Sequence, residues 1–153
     1  MDVFYYWKNF EADLTEGRIG WLKSNRGKLD AFKERSPDVI WAFKTPTGCK
    51  GQLQLIARLA WSDRPTIKMP DIESKSTVFY DPDHAETVRF IDTDTPEAIE
   101  IATEIMSNAL PFSSFRSNFH GENGQHGIEN NFVRQLTSFA GRYQVTSLLS
   151  SEP

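Results

Sequence analysis

Residues 39 to 61 constrain the fold most. Val39-Ile40-Trp41-Ala42-Phe43-Lys44 is a continuous β-prone run, and the stretch Gln52 to Trp61 carries apolar side chains at 53, 55, 57, 59 and 61. Alternation of that kind buries one face of a strand and leaves the other to polar residues, here Gln52, Gln54 and Arg58. Between the two runs, Thr45-Pro46-Thr47-Gly48-Cys49-Lys50-Gly51 has the composition that reverses a chain. The two runs therefore predict a β-hairpin, and the remaining elements must be arranged around it.

Before the hairpin, Asp2-Val3-Phe4-Tyr5-Tyr6-Trp7 is aromatic and β-prone and reads as a first strand. A short helix over Phe10–Leu14 follows, with Asn9 available as its cap and Gly17 as its end. Residues 19–23 form a connector that carries Trp21, and a helix is predicted over about 28–35, halted by Ser36-Pro37-Asp38. After the hairpin, residues 62–76 are polar and read as a long loop. Thr77–Tyr80 and Thr87–Ile91 then read as two more strands around the turn Asp81-Pro82-Asp83-His84. Thr95 can cap a helix that has Pro96 at its first position, with Ala98, Ile101, Ala102, Ile105 and Ala109 as its apolar stripe. A last helix, about 128–142, places Ile128, Phe132, Leu136 and Phe139 on one face. The expectation is one α+β domain over residues 1–146 with a frayed tail at 147–153. It has five strands in a mixed, barrel-like sheet, helices inserted after the first strand, and two C-terminal helices.

A chain of 153 residues is long enough to bury a real core in one domain. Its single cysteine, Cys49, excludes an intrachain disulfide and a cysteine-based zinc site. No apolar run approaches the roughly 20 residues that span a bilayer, and the aromatic start does not read as a signal peptide, so a cytoplasmic protein without a membrane partner is expected. The net charge of −4 is unevenly spread. Residues 18–50 hold eight basic and three acidic side chains, or +5, and the rest of the chain sums to −9. A solvated helix face would produce such a segment, and so would a surface that meets anions.

Catalytic signatures are missing. There is no G-x-S-x-G, no phosphate-cradling glycine loop, and Cys49 sits in a turn beside Lys50 with no histidine partner visible in sequence. The pairs Asp81/Asp83 and Asp92/Asp94 lie where Asp serves turns and helix starts. His120, Glu122 and His126 share one polar loop and could ligate zinc or manganese, but they lack a recognisable ligand spacing. The chain thus reads as a binding module more readily than as an enzyme, with no cofactor expected. The open alternatives are a protein-interaction accessory subunit and a small metal-dependent hydrolase or nuclease on the His120–His126 loop.

The segment Arg18-Ile19-Gly20-Trp21-Leu22-Lys23-Ser24-Asn25-Arg26-Gly27-Lys28 sets one indole and four cations within eleven residues. An indole face can stack on a base, Asn and Ser offer donor and acceptor edges, and Lys and Arg meet phosphate. A Trp21 that plugs the core beside exposed cations accounts for the same residues. Phe112, Phe115 and Phe119 have helical spacing and read as core, whereas Arg116, Asn118 and His120 could contact a ligand from a loop.

The order of these elements resembles an EVE domain, a branch of the PUA-like superfamily that includes modified-base readers. The likeness runs over residues 1 to 92. It comprises the aromatic first strand ending Tyr5-Tyr6-Trp7, the short helix, then Trp21 with Ser24-Asn25-Arg26, a helix, strand Val39–Phe43, and the long strand Leu53–Trp61 closed by Ser62-Asp63 and Pro65. Ser-Pro-Asp stands where the family usually has a glycine-aspartate, and the region from Pro111 onward has no counterpart. The resemblance implies a PUA-like β-barrel with a pocket for a modified or extruded base of DNA or RNA. It implies a pocket of Tyr6, Trp7, Trp21, Ser24, Asn25, Trp41 and Phe43, with Lys23, Arg26 and Lys28 on phosphate.

Overall fold

A computed structural model describes residues 1–23, 37–66 and 77–148. The predicted helix over 28–35, and Ser24, Asn25, Arg26 and Lys28 with it, lie outside the described residues. Within them the chain is α+β, a curled mixed sheet closing a half-barrel with four helices. The order is β1 Asp2–Tyr6, α1 Phe10–Thr15, β2 Trp21–Lys23, β3 Val39–Lys44, β4 Gln54–Ser62, β5 Thr77–Asp81, β6 Val88–Phe90, α2 Pro96–Ala109, α3 Phe112–Arg116, a 3-10 turn Gly121–Gly124, β7 Gln125–Ile128, α4 Asn130–Ala140 and β8 Val145–Ser147.

The predicted hairpin is present: β3 and β4 pair antiparallel. The uniform alternation along β4 is not. Ala42 pairs with Ala57 and Phe43 with Leu55, so Ile56 is an extra residue on β4, a bulge that bends the strand and exchanges its faces. Leu53 and Leu55 consequently join one hydrophobic core, and Ala57 and Leu59 join another on the opposite side of the sheet. The first core packs Phe4, Trp41, Phe43, Leu53 and Leu55 against α2 and α4 through Ala98, Ala102, Met106, Leu136 and Phe139. The second holds Val3, Trp7, Ile40, Ala42, Leu59 and Tyr80. With both faces of the central strands buried, β3 has to be apolar at every position from 40 to 43, and it is.

Among the described residues the sheet has eight strands rather than the expected five. β1 lies parallel to β3, which requires the crossover that runs through α1 and β2. β1 also pairs antiparallel with β7, so Ile128 is a strand residue, and α4 begins at Asn130. β2 is the connector predicted over 19–23, drawn into the sheet by β5. β8 pairs with β6 and is followed by a buried Leu148, which corrects the expectation of a frayed tail at 147 and 148. Thr95 caps α2 as expected, its hydroxyl accepting from Ala98 N–H at 3.2 Å. Asn9 makes no side-chain cap for α1. Among the described residues no helix is long and apolar enough to cross a membrane.

Candidate functional site

A cavity of about 670 Å³ opens where β1 ends and β2 begins. That size lies within the ordinary range for small-molecule sites. Its described lining comes from three stretches: Tyr5 to Asn9 at the end of β1; Asp13, Arg18 and Trp21 to Lys23 from α1 to β2; and Asn118, Phe119 and His120 after α3 with Gln125 at the start of β7.

The first two stretches are tied together by hydrogen bonds. The Trp7 indole N–H donates to Asp13 Oδ2 at 2.6 Å, and Arg18 Nε donates to Asp13 Oδ1 at 2.8 Å. Arg18 also meets the Glu16 carboxylate, so its charge is held between two acids. The Tyr5 hydroxyl donates to the Lys23 carbonyl at 2.9 Å and fastens the end of β2. Burial, then the nearby Asp13 and Tyr80, push the Tyr5 phenol above the usual tyrosine range. Burial raises Tyr80 likewise. Both phenols are therefore neutral, and of the two the Tyr5 hydroxyl is the one that makes a hydrogen bond among the described residues. Lys8 and Lys23 are exposed at the cavity and form no ion pair among the described residues, which leaves them as its available cations.

The third stretch is shaped by the end of α3. Asn118 N–H donates to Phe115 O at 3.1 Å, and Phe119 N–H to Ser114 O at 2.8 Å. This 5→2 and 6→1 pair is a Schellman motif with Asn118 in the left-handed position, at φ 55°. Phe119 is left-handed as well, at φ 60°. For a bulky residue that costs on the order of 1–3 kcal/mol and persists only where packing over-determines it. Packing does so here. The Phe119 ring stacks on Tyr6 at 5.1 Å and 15°, and meets Phe115 edge-on at 4.8 Å and Phe4 at 5.9 Å. The consequence is that Phe119 points inward while its neighbours Asn118 and His120 stay exposed on the cavity wall.

Of the residues expected in a pocket, Tyr6, Trp7, Trp21 and Lys23 meet at this cavity. Trp7 is 2% exposed, with its ring set edge-on against Phe10 and Tyr80, so it is wall rather than a free stacking face. Trp21 is 8% exposed. Trp41 and Phe43 do not belong to the cavity. Both are sealed in the core beneath α2 and α4, and the Trp41 indole N–H donates to the buried Asp2 carboxylate at 2.8 Å. Phe43 is the register partner of Tyr6 across β1 and β3, but its ring packs on Phe4 at 5.3 Å in the helix-side core, which a reading by ring type alone could not detect. Ser24, Asn25, Arg26 and Lys28 lie outside the described residues. Of the three phenylalanines expected in the core, Phe119 is buried, Phe115 half-buried and Phe112 exposed.

The residues the sequence did not connect to this site are Tyr5, Lys8, Asn9, Asp13 and Gln125; Arg18, counted there among the cations of the basic segment, is instead held between Asp13 and Glu16. The only prior signal for the late wall was the polar composition around Asn118 and His120. No group of three His, Cys, Asp or Glu that could hold a metal ion occurs among the described residues. The His126 Nδ1 lies 3.0 Å from the Gly127 carbonyl, and His126 pairs with Phe4 across the β1–β7 ladder. Compared with known proteins, the chain matches no family model, no curated protein and no solved structure.

Proposed function

We propose that the protein is a nucleic-acid-binding module of PUA-like, EVE-like character that takes a modified, unpaired or flipped base into this cavity and performs no chemistry on it. One observation carries the reading: a cavity lined by Tyr6 and Trp21, with Lys8 and Lys23, which form no ion pair among the described residues, at the same opening. Aromatic walls suit a flat heterocycle, and lysines suit the phosphates that flank it. A base inside a duplex hides the faces such walls would grip, so the ligand is one that has left the stack. The half-barrel, with its cavity at the end of the first strand, is compatible with the fold that the family resemblance implies.

The test is a titration of the protein against labelled oligonucleotides, single-stranded, bulged and fully paired, with and without base modification, at two or more salt concentrations. Binding should favour the unpaired targets and weaken with salt. Replacing both Lys8 and Lys23 with alanine should flatten the logarithmic salt slope by about 1.4, since each phosphate contact to a single strand contributes about 0.7. Equal affinity for paired and unpaired targets, or binding indifferent to salt, would overturn the proposal. The second result would point instead to a protein partner.

A further inference from the structure

The late wall of the cavity has a chemistry different from the rest. Lys8, Lys23 and the rings can hold a base and its phosphates without telling one base from another, because every base has a π-face and every nucleotide a phosphate. Discrimination needs groups that donate and accept along a base edge. Asn118 and His120 are such groups. A carboxamide presents a donor and an acceptor side by side, and a neutral imidazole has one of each on its ring. Both side chains are exposed at the cavity, and neither makes a side-chain hydrogen bond among the described residues.

The backbone that carries them is also fixed in advance. Asn118 is locked by the Schellman pair to Phe115 and Ser114, and His120 N–H donates to Ser117 O at 3.2 Å. Phe119 between them is anchored by its stack on Tyr6. From behind, Gly124 closes on the Phe119 carbonyl so tightly that a Cβ there would stand 2.6 Å from the oxygen. The turn therefore holds two edge-reading groups on a rigid support, and a left-handed phenylalanine is kept to do it.

We infer that Asn118 and His120 are the specificity-determining residues of this cavity, reading the edge of the unstacked base that Tyr6 and Trp21 enclose. The inference rests on the base-binding reading above and deepens it. It assigns discrimination to the C-terminal half of the chain, apart from the basic segment that follows Trp21.

The experiment uses the whole chain and a set of hairpin oligonucleotides, in DNA and in RNA, that differ only in one bulged residue: each of the four bases, or an abasic site, with a fully paired hairpin as control. Dissociation constants are measured by fluorescence anisotropy at one salt concentration. The variants are Asn118→Gly, which removes the carboxamide while accepting the left-handed backbone, and His120→Ala at an exposed side chain. A thermal melt establishes that each is folded. The wild type should prefer one bulged base over the abasic site. Each variant should lose about 5- to 150-fold on that base and little on the abasic hairpin, so that the spread among bases collapses. If folded variants keep the wild-type spread, or weaken all five hairpins equally, the inference is wrong while base binding stands. If the wild type binds no bulged hairpin more tightly than the paired control, base binding itself fails and this assignment with it.

Discussion

Alanine at position 124 tests the construction of the cavity without reference to any ligand. A Cβ on Gly124 would lie 2.6 Å from the Phe119 carbonyl oxygen and 2.9 Å from Tyr6 Cβ, both closer than real Cβ contacts allow. Neither neighbour can move cheaply. The Phe119 backbone is held by its 2.8 Å hydrogen bond to Ser114, and Tyr6 belongs to a strand paired with β3. Overpacking against immobile groups costs about 1–3 kcal/mol, and the stiffer unfolded chain returns about 0.4–1 kcal/mol. A net loss of about 1–2 kcal/mol lowers the melting temperature of a chain this long by on the order of 2–8 °C. Gly141 supplies the control. It caps α4 with an ordinary right-handed φ of −63°, and a Cβ there would find its nearest atoms, the Thr137 and Ser138 carbonyls, at 3.4 and 3.5 Å. Gly141→Ala should be neutral or stabilising by about 0.4–1 kcal/mol. The assay is a pair of thermal melts followed by circular dichroism. A Gly124→Ala protein as stable as the wild type would refute the close packing of the 3-10 turn on Phe119, and with it the rigidity claimed for the late wall.

Two further expectations concern the cores. Burial raises the Asp2 carboxyl above the usual 3.8, with the Trp41 hydrogen bond and the N-terminal ammonium acting against the shift. The folded state then holds this proton to higher pH than the unfolded chain does, so the group's stabilisation is full below 3.8 and is lost as pH rises through the folded value. Asp2→Asn can still accept from the Trp41 indole, and should gain on the wild type over that same interval in urea unfolding from pH 3 to 7; a wild type that gains on the variant instead would reverse the assignment. At the other end of the chain, Leu148 is 2% exposed, so Leu148→Ala should cost about 2–5 kcal/mol, whereas a tail residue would change stability by no more than about 0.5 kcal/mol.

The elements that local chemistry specifies were legible. The hairpin follows from its β-branched and aromatic run, and α2 follows from Thr95, Pro96 and a 3.6-residue apolar period. What escaped was decided by partners distant in sequence. Gln125-His126-Gly127-Ile128 is a weak strand former that pairs because β1 leaves an edge beside it. Val145–Ser147 likewise exists as a strand through β6. The bulge at Ile56 is invisible in an alternation count, since 53 to 61 read as one face until the register shifts. The site divided along the same line. Tyr6, Trp7 and Trp21 could be picked out as rings near a chain reversal, but whether a Trp faces a cavity or a core depends on which face of the sheet it occupies. Trp41 has the same chemistry as Trp21 and ends in the core because α2 and α4 cover its face.

The position of the cavity follows from that two-faced burial. Successive residues of β1 point to opposite faces, so Tyr6 goes with Phe4 toward Phe119 and the helix-side core, and Trp7 goes with Val3 into the other. At the last turn of the strand the two cores come to the surface side by side. The wall on one side is tied to Asp13 through Trp7, and the wall on the other to α3 through Phe119. A ligand lodged between them touches both, although the stretches that build them stand roughly a hundred residues apart in sequence. Only the completed sheet brings them together, because β1 reaches the early wall through its own chain and the late wall through β7. A substitution that loosens either core at β1 should therefore reach the cavity even where it touches no lining residue.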